Sequence, residues 1–178
     1  MMNFNRFVSS MINSSGEDWT TPEETFRGML RDNHLLTPLS KTIAAGAVLT
    51  RQIDSQGYLV LSTDYADTHL SVAVELIRHA VEVSRKAEGV KDTFGRSAGE
   101  YQIVYSSVPV VLQGRFSVSV DIDRDRQVTV SYGTVFLPDT FSVKETDIIT
   151  FPAKDKFIVR SVNRPVTGLM HLELVSLN

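Results

Sequence analysis

The sequence predicts a mainly β protein of the α+β class: a small antiparallel β-barrel with one long amphipathic helix at about 66–87 and one long hairpin at about 115–132. Three observations predict it. Apolar and polar residues alternate through Val128, Val130 and Tyr132, through Ile148 and Phe151, and through Leu172 and Leu174, the period-two signature of half-buried strands. Pro138, Pro152, Pro165 and Gly168 punctuate those runs. One long segment, near the middle of the chain, shifts to a helical period.

From the start of the chain, Phe4, Phe7, Val8, Met11 and Ile12 recur at three- and four-residue spacings, so a short amphipathic helix is expected before Ser14, Ser15 and Gly16. A helix this short is not stable alone. It must dock on its own domain or on a partner chain, and Phe4, Phe7 and Met11 are the candidate docking residues of an N-terminal arm over 1–20. After Pro22, residues 25–30 fit either a strand or one helical turn. Pro38 breaks any helix that would begin nearby, and DSQG at 54–57 is a turn sequence followed by the strand-forming run YLVLS. A hairpin of about 47–53 with 57–63 is therefore expected, and 21–63 supply the first barrel strands.

From 66 to 87 the apolar positions Leu70, Ala73, Val74, Ile77, Ala80 and Val81 fall at helical spacings, which predicts the long helix. Asp64 or Asp67 can cap its start, Arg85 and Lys86 complement its last turn, and Gly89 ends it. Glu75 with His79 and Glu82 with Lys86 would pair on the solvent face. Residues 88–100, EGVKDTFGRSAGE, hold three glycines and both charge signs, the composition of a flexible loop. Lys91, Phe94 and Arg96 are its candidates for facing DNA or a neighbouring subunit. Its glycines lack the spacing of a phosphate cradle and follow a predicted helix, where such motifs follow a strand, so nucleotide binding is excluded.

A strand is expected over 101–113, bent or ended at Pro109. Phe116, Val118 and Val120 then alternate on one side of a charged turn, and Val128 and Val130 on the other. The tip, DIDRDR, is the most site-like string. Asp121, Asp123 and Asp125 stand where a calcium loop places oxygens, but such a loop needs Gly at its sixth position and Glu at its twelfth, and here those are Arg126 and Tyr132. The tip is read as a solvated turn or as a subunit-contact hairpin through Asp121, Asp123, Arg124, Asp125 and Arg126. His34, His69, His79 and His171 never share a metal-binding spacing; on a helix, His69 and His79 would lie roughly 15 Å apart. No serine, histidine and acid form a recognisable triad. The sequence thus predicts no catalytic residue, no cofactor and no metal, and the expected protein is not an enzyme.

The totals agree with one domain over 1–178, with 64–100 as a possible insertion and 101–178 as the main barrel. At 178 residues, 42% hydrophobic and 22% charged, the chain can bury a core without staples. A net charge of −3 gives no global attraction to phosphate. There is no cysteine, hence no disulfide and no thiolate metal site. The N-terminus lacks the charged-then-apolar order of a signal peptide, and no apolar run reaches the roughly 18 residues of a spanning helix. A soluble chain made in the cytoplasm, with no membrane partner, is expected.

The last third has a further property, in the order of its features. In GTVFLPDTFSVKETDIITFPAKDKFIVRSVNRPVTGLMHLEL, the acid Asp147 opens a strand with Ile148 and Ile149; Phe157, Val159 and Val162 form the next, and Leu169, Leu172 and Leu174 the last. This order resembles the C-terminal half of the head-closure, or stopper, proteins of tailed bacteriophages, including the lambda-type head-to-tail joining proteins of head completion. The stretch from FRGML through PLSKTIAAG to GYLVLST resembles the opening half of the same barrel. Two departures stand out: Thr146 replaces the glycine usual before the acid, and Pro152 and Ala153 replace the usual tight-turn pair.

The resemblance implies a virion protein of the neck: a homo-oligomeric ring, hexameric or dodecameric. It would sit between the portal or adaptor ring and the tail terminator or tail tube, with genomic DNA passing through and loops lining the channel. An adaptor or terminator ring of the same connector is the alternative within that machine. Outside it, a small-ligand β-barrel, an enzyme with a dispersed site, or a DNA-binding module remain open.

Overall fold

The computed structural model describes residues 4–87, 89, 99–114, 117–123 and 126–177. Among them one helix, α1 (Phe4–Ser15), precedes thirteen strands. The chain divides into two compact units where the sequence predicts a single domain: unit 1 holds Met1–Ile77 with Pro165–Leu169, and unit 2 holds Arg78–Arg164 with Met170–Asn178.

Unit 1 is a closed barrel of β1 (Glu17–Thr20), β2 (Thr25–Arg31), β3 (His34–Thr37), β4 (Val48–Arg51), β5 (Gln56–Tyr65) and β6 (Leu70–Leu76), in the order β1-β2-β3-β6-β5-β4, with β1 pairing β4 to close it. Residues 25–30 are thus strand, and the expected hairpin is β4–β5, with Val48 opposite Leu59 and Arg51 opposite Gln56. Alternate side chains point inward, as the pleat requires. Leu35, Leu49, Val60, Leu70, Val72 and Val74 are buried around Trp19, whose ring meets Tyr58 edge-on at 5.2 Å. Each such aliphatic burial stabilises by roughly 1.5–3 kcal/mol.

Glycine is required at two places in unit 1. The Gly16 N–H donates to the Ile12 carbonyl at 2.8 Å, and a Cβ there would lie 2.5 Å from that oxygen and 2.8 Å from the Gly28 carbonyl. This close approach seats the end of α1 on β2. At Gly46, φ is +79° and a Cβ would lie 1.7 Å from the Gly168 carbonyl oxygen, so no side chain fits.

The predicted helix at 66–87 is not there. Its residues form β6 and the first strand of unit 2, β7 (His79–Lys86). Ala73, Ile77 and Ala80 suggested a helical stripe, but Leu70, Val72 and Val74, then Val81 and Val83, are the residues that become buried. β-branched residues at alternate positions favour the pleated surface, and the chain leaves one sheet ladder for the next at Ile77 and Arg78. The helical pairs fall with the helix; Glu75, for instance, accepts from Asn33 Nδ2 at 3.1 Å. Within the stretch 64–100, β6 is a member of the unit 1 barrel.

Unit 2 orders its strands β13-β12-β11-β7-β8-β10-β9, and an additional β13–β10 pairing closes a second ring of six, with β9 on the flank of β10. The strands are β8 (Tyr101–Leu112), β9 (Ser117–Asp123), β10 (Arg126–Pro138), β11 (Ile148–Thr150), β12 (Lys156–Val166) and β13 (Leu169–Ser176). Val81, Val108, Val135, Leu137, Ile149, Val159, Met170, Leu172 and Leu174 fill its core. The expected long hairpin is β9–β10, in register from Arg126 opposite Asp123 to Tyr132 opposite Ser117. No helix among the described residues is long and apolar enough to cross a membrane.

Candidate assembly surface

The most distinctive polar feature of unit 2 is built by two residues 62 positions apart. Asp147, 1% exposed, lies just before β11. Arg85 near the end of β7 grips it with both branches: Nε donates to Oδ1 at 2.8 Å and Nη2 to Oδ2 at 2.7 Å. The Lys144 N–H donates to the same carboxylate at 2.8 Å, and Arg85 Nη2 also reaches the Ser142 carbonyl at 2.6 Å. A charge this buried is tolerated because its lone pairs are met by fork-shaped and backbone donors. The cause of the tight turn is visible beside it: Thr146 has φ +71°, the left-handed region that glycine enters at least cost.

These bonds brace an extension of the β7–β8 pair. The register runs from His79 opposite Val110 to Lys86 opposite Tyr101, with irregularities at Val81/Val83 and Val83/Ser84. Tyr105 on β8 meets the Phe141 ring edge-on at 5.5 Å, and its hydroxyl accepts from the Ser142 N–H at 3.2 Å. Pairing of β8 with β10 involves only Val111 and Leu112 among the described residues. Among the described residues, 101–107 therefore have β7 on one side and no paired strand on the other.

That edge is apolar. Tyr101 is 44%, Ile103 59% and Val104 40% exposed, and Ile103 and Val104, being consecutive, point to opposite faces of the strand. An apolar strand paired on one side is the kind of edge that pairs with another chain. Beside it, an open depression of about 470 Å³ is lined by Arg85, Lys86, Tyr101, Lys144, Glu145 and Ile158 among others.

Of the sequence-derived candidates, Phe7 on α1 is 51% exposed, while Met11 is half-buried and Ile12 fully buried. The arm is thus seated by its C-terminal end, with Phe7 outward. Phe4 begins the helix. Asp121 and Asp123 lie on β9 and Arg126 opens β10; Arg124 and Asp125, like Lys91, Phe94 and Arg96, lie outside the described residues. Sequence reasoning passed over the 101–107 edge. Its signal was YQIV, an apolar run without alternation, at the start of an expected strand.

The histidines serve separate contacts. The His79 ring meets Phe151 at 5.9 Å, His171 packs at 4.8 Å from Phe136, and His69 Nδ1 bonds Thr68 Oγ1 at 2.9 Å. Among the described residues no three histidine, aspartate or glutamate side chains gather as a metal site would need.

No protein-family model matches the chain, and no curated protein matches it. Among solved structures it is similar to the phage-like element PBSX protein xkdH from Bacillus subtilis, at 17% sequence identity and a TM-score of 0.39, covering 56% of this chain and 92% of that one.

Proposed function

We propose that this chain is a structural, non-enzymatic component of a tailed-phage neck: a head-closure ring that joins the portal or adaptor complex to the tail and helps retain packaged DNA. One observation carries the reading. The residues of the stopper-like pattern fall in order on three successive neighbouring strands, with Asp147 at the mouth of β11, Phe157, Val159 and Val162 on β12, and Leu169, Leu172 and Leu174 on β13. The net charge of −3 agrees with it, since a chain without an overall cationic excess does not attract DNA globally.

Contacts in such a ring are head-to-tail, each subunit offering two different surfaces. The apolar 101–107 edge is the proposed surface of one side. Native mass spectrometry and negative-stain imaging of the chain, alone and with the products of the flanking genes, are expected to find a hollow ring seated on a portal, adaptor or tail complex. A chain that stays a strict monomer and joins none of them overturns the reading. Ile103→Lys is expected to abolish the ring while changing the stability of the free chain by less than about 0.5 kcal/mol.

A further inference from the structure

Reading the rings of the two units as cycles gives β1-β2-β3-β6-β5-β4 for the first and β7-β8-β10-β13-β12-β11 for the second. With β9 set aside, the strands of each unit follow the same sequence order around the same cycle. The correspondence extends to residues. Trp19 and Val81 are 62 positions apart, Phe26 and Val108 are 82 apart, and Leu35 and Val135, Leu49 and Ile149, and Val72 and Leu172 are each 100 apart; all are buried. Tyr58 and Phe157 are paired alike, opposite Leu49 and opposite Ile149. Each of the ten residues clustered in the unit 1 core has such a buried counterpart in unit 2.

Backbone detail repeats too. The Gly46 N–H donates to Val60 at 2.8 Å and the Thr146 N–H to Val159 at 2.9 Å; the Val60 N–H donates to Ala47 and the Val159 N–H to Asp147, both at 2.9 Å. Gly46 and Thr146 both have a left-handed φ, +79° and +71°. A one-residue slip in any strand would turn its side chains to the opposite face, so this agreement over six strands is not a by-product of small barrels sharing a shape.

We infer that the chain is a tandem duplication of one barrel module, in which β7, β8, β10, β11, β12 and β13 repeat β1, β2, β3, β4, β5 and β6. The second module differs by two long additions, besides a one-residue shortening that sets Tyr58 and Phe157 99 apart. The offset grows from 62 to 82 across the β7–β8 connection and from 82 to 100 across β9, so about 20 and 18 residues were gained there.

One experiment on the full chain tests it. Residues 113–134 are replaced by the β2–β3 turn sequence of residues 31–34, RDNH. Gln113 and Thr134 already bond across their strands, and Arg31 and His34 are their paired counterparts. The chimera is expected to unfold cooperatively with a Tm within about 5 °C of the parent. Loss of cooperative folding overturns the equivalence of the modules.

Discussion

Before β4 the chain runs Gly46–Ala47, and before β11 it runs Thr146–Asp147, with the same backbone hydrogen bonds in both units. Unit 1 closes its turn with the residue best suited to a positive φ and an alanine that asks for nothing. Unit 2 keeps a β-branched residue in the same conformation and buries a carboxylate held by Arg85. The barrel therefore does not need the ion pair to close. What the pair adds is a tie between the β7–β8 extension and the turn at 142–147, which unit 1, with only the short turn at 21–24 in place of the extension, has no use for.

The largest effect expected from this difference is on Asp147→Ala, which removes both carboxylate bonds of the Arg85 guanidinium and should cost about 3 kcal/mol in urea unfolding. Adding Arg85→Leu should restore most of that loss, because the apolar version of the turn already works in unit 1; no recovery would mean that the pair is needed for closure itself. Next is Gly46→Ala, at about 3 kcal/mol from backbone overlap and strain, measured the same way. Its mirror, Thr146→Gly, should stabilise the protein by up to about 1 kcal/mol, and a loss there would show that the Thr146 side chain has a contact worth more than the strain.

The smallest effect is acidic. Arg51 Nε donates to Asp54 Oδ1 at 3.1 Å at the β4–β5 turn, and this bond holds the Asp54 carboxyl below its ordinary value. A lowered folded pKa contributes stability above the unfolded value, about 3.9, that is lost as pH falls through the folded one. Phe151 occupies the place of Arg51 in unit 2. Asp54→Asn should therefore flatten a small part of the stability slope below about pH 4, seen in urea midpoints.

Much of this architecture was legible. The strands around 128–132, 148–151 and 172–174 and the two hairpins announced themselves through period-two alternation and turn sequences; at Leu172 and Leu174 that alternation marks a buried face on either side of exposed Glu173. The misread helix shows the limit: Ala73 and Ala80 fit either period, and the valines at 72, 74, 81 and 83 were the better witnesses. The repeat was hidden for a different reason. Its matched positions share size and apolarity but seldom identity, as Trp19 with Val81 or Tyr58 with Phe157, and two insertions change the spacing partway through. Asp147 stood out through the head-closure resemblance, whereas Arg85 did not, because 62 residues separate partners that only the sheet brings together.

The burial of Trp19 gives this duplicated molecule an uneven optical character. It is the single tryptophan of the chain, fully enclosed in unit 1, while the far-ultraviolet dichroism of the strands comes from both units. Emission therefore follows one module, and dichroism averages two. If the emission and dichroism transitions coincide in urea, the modules unfold as one cooperative unit; if they separate, the wild-type chain itself reports which copy opens first.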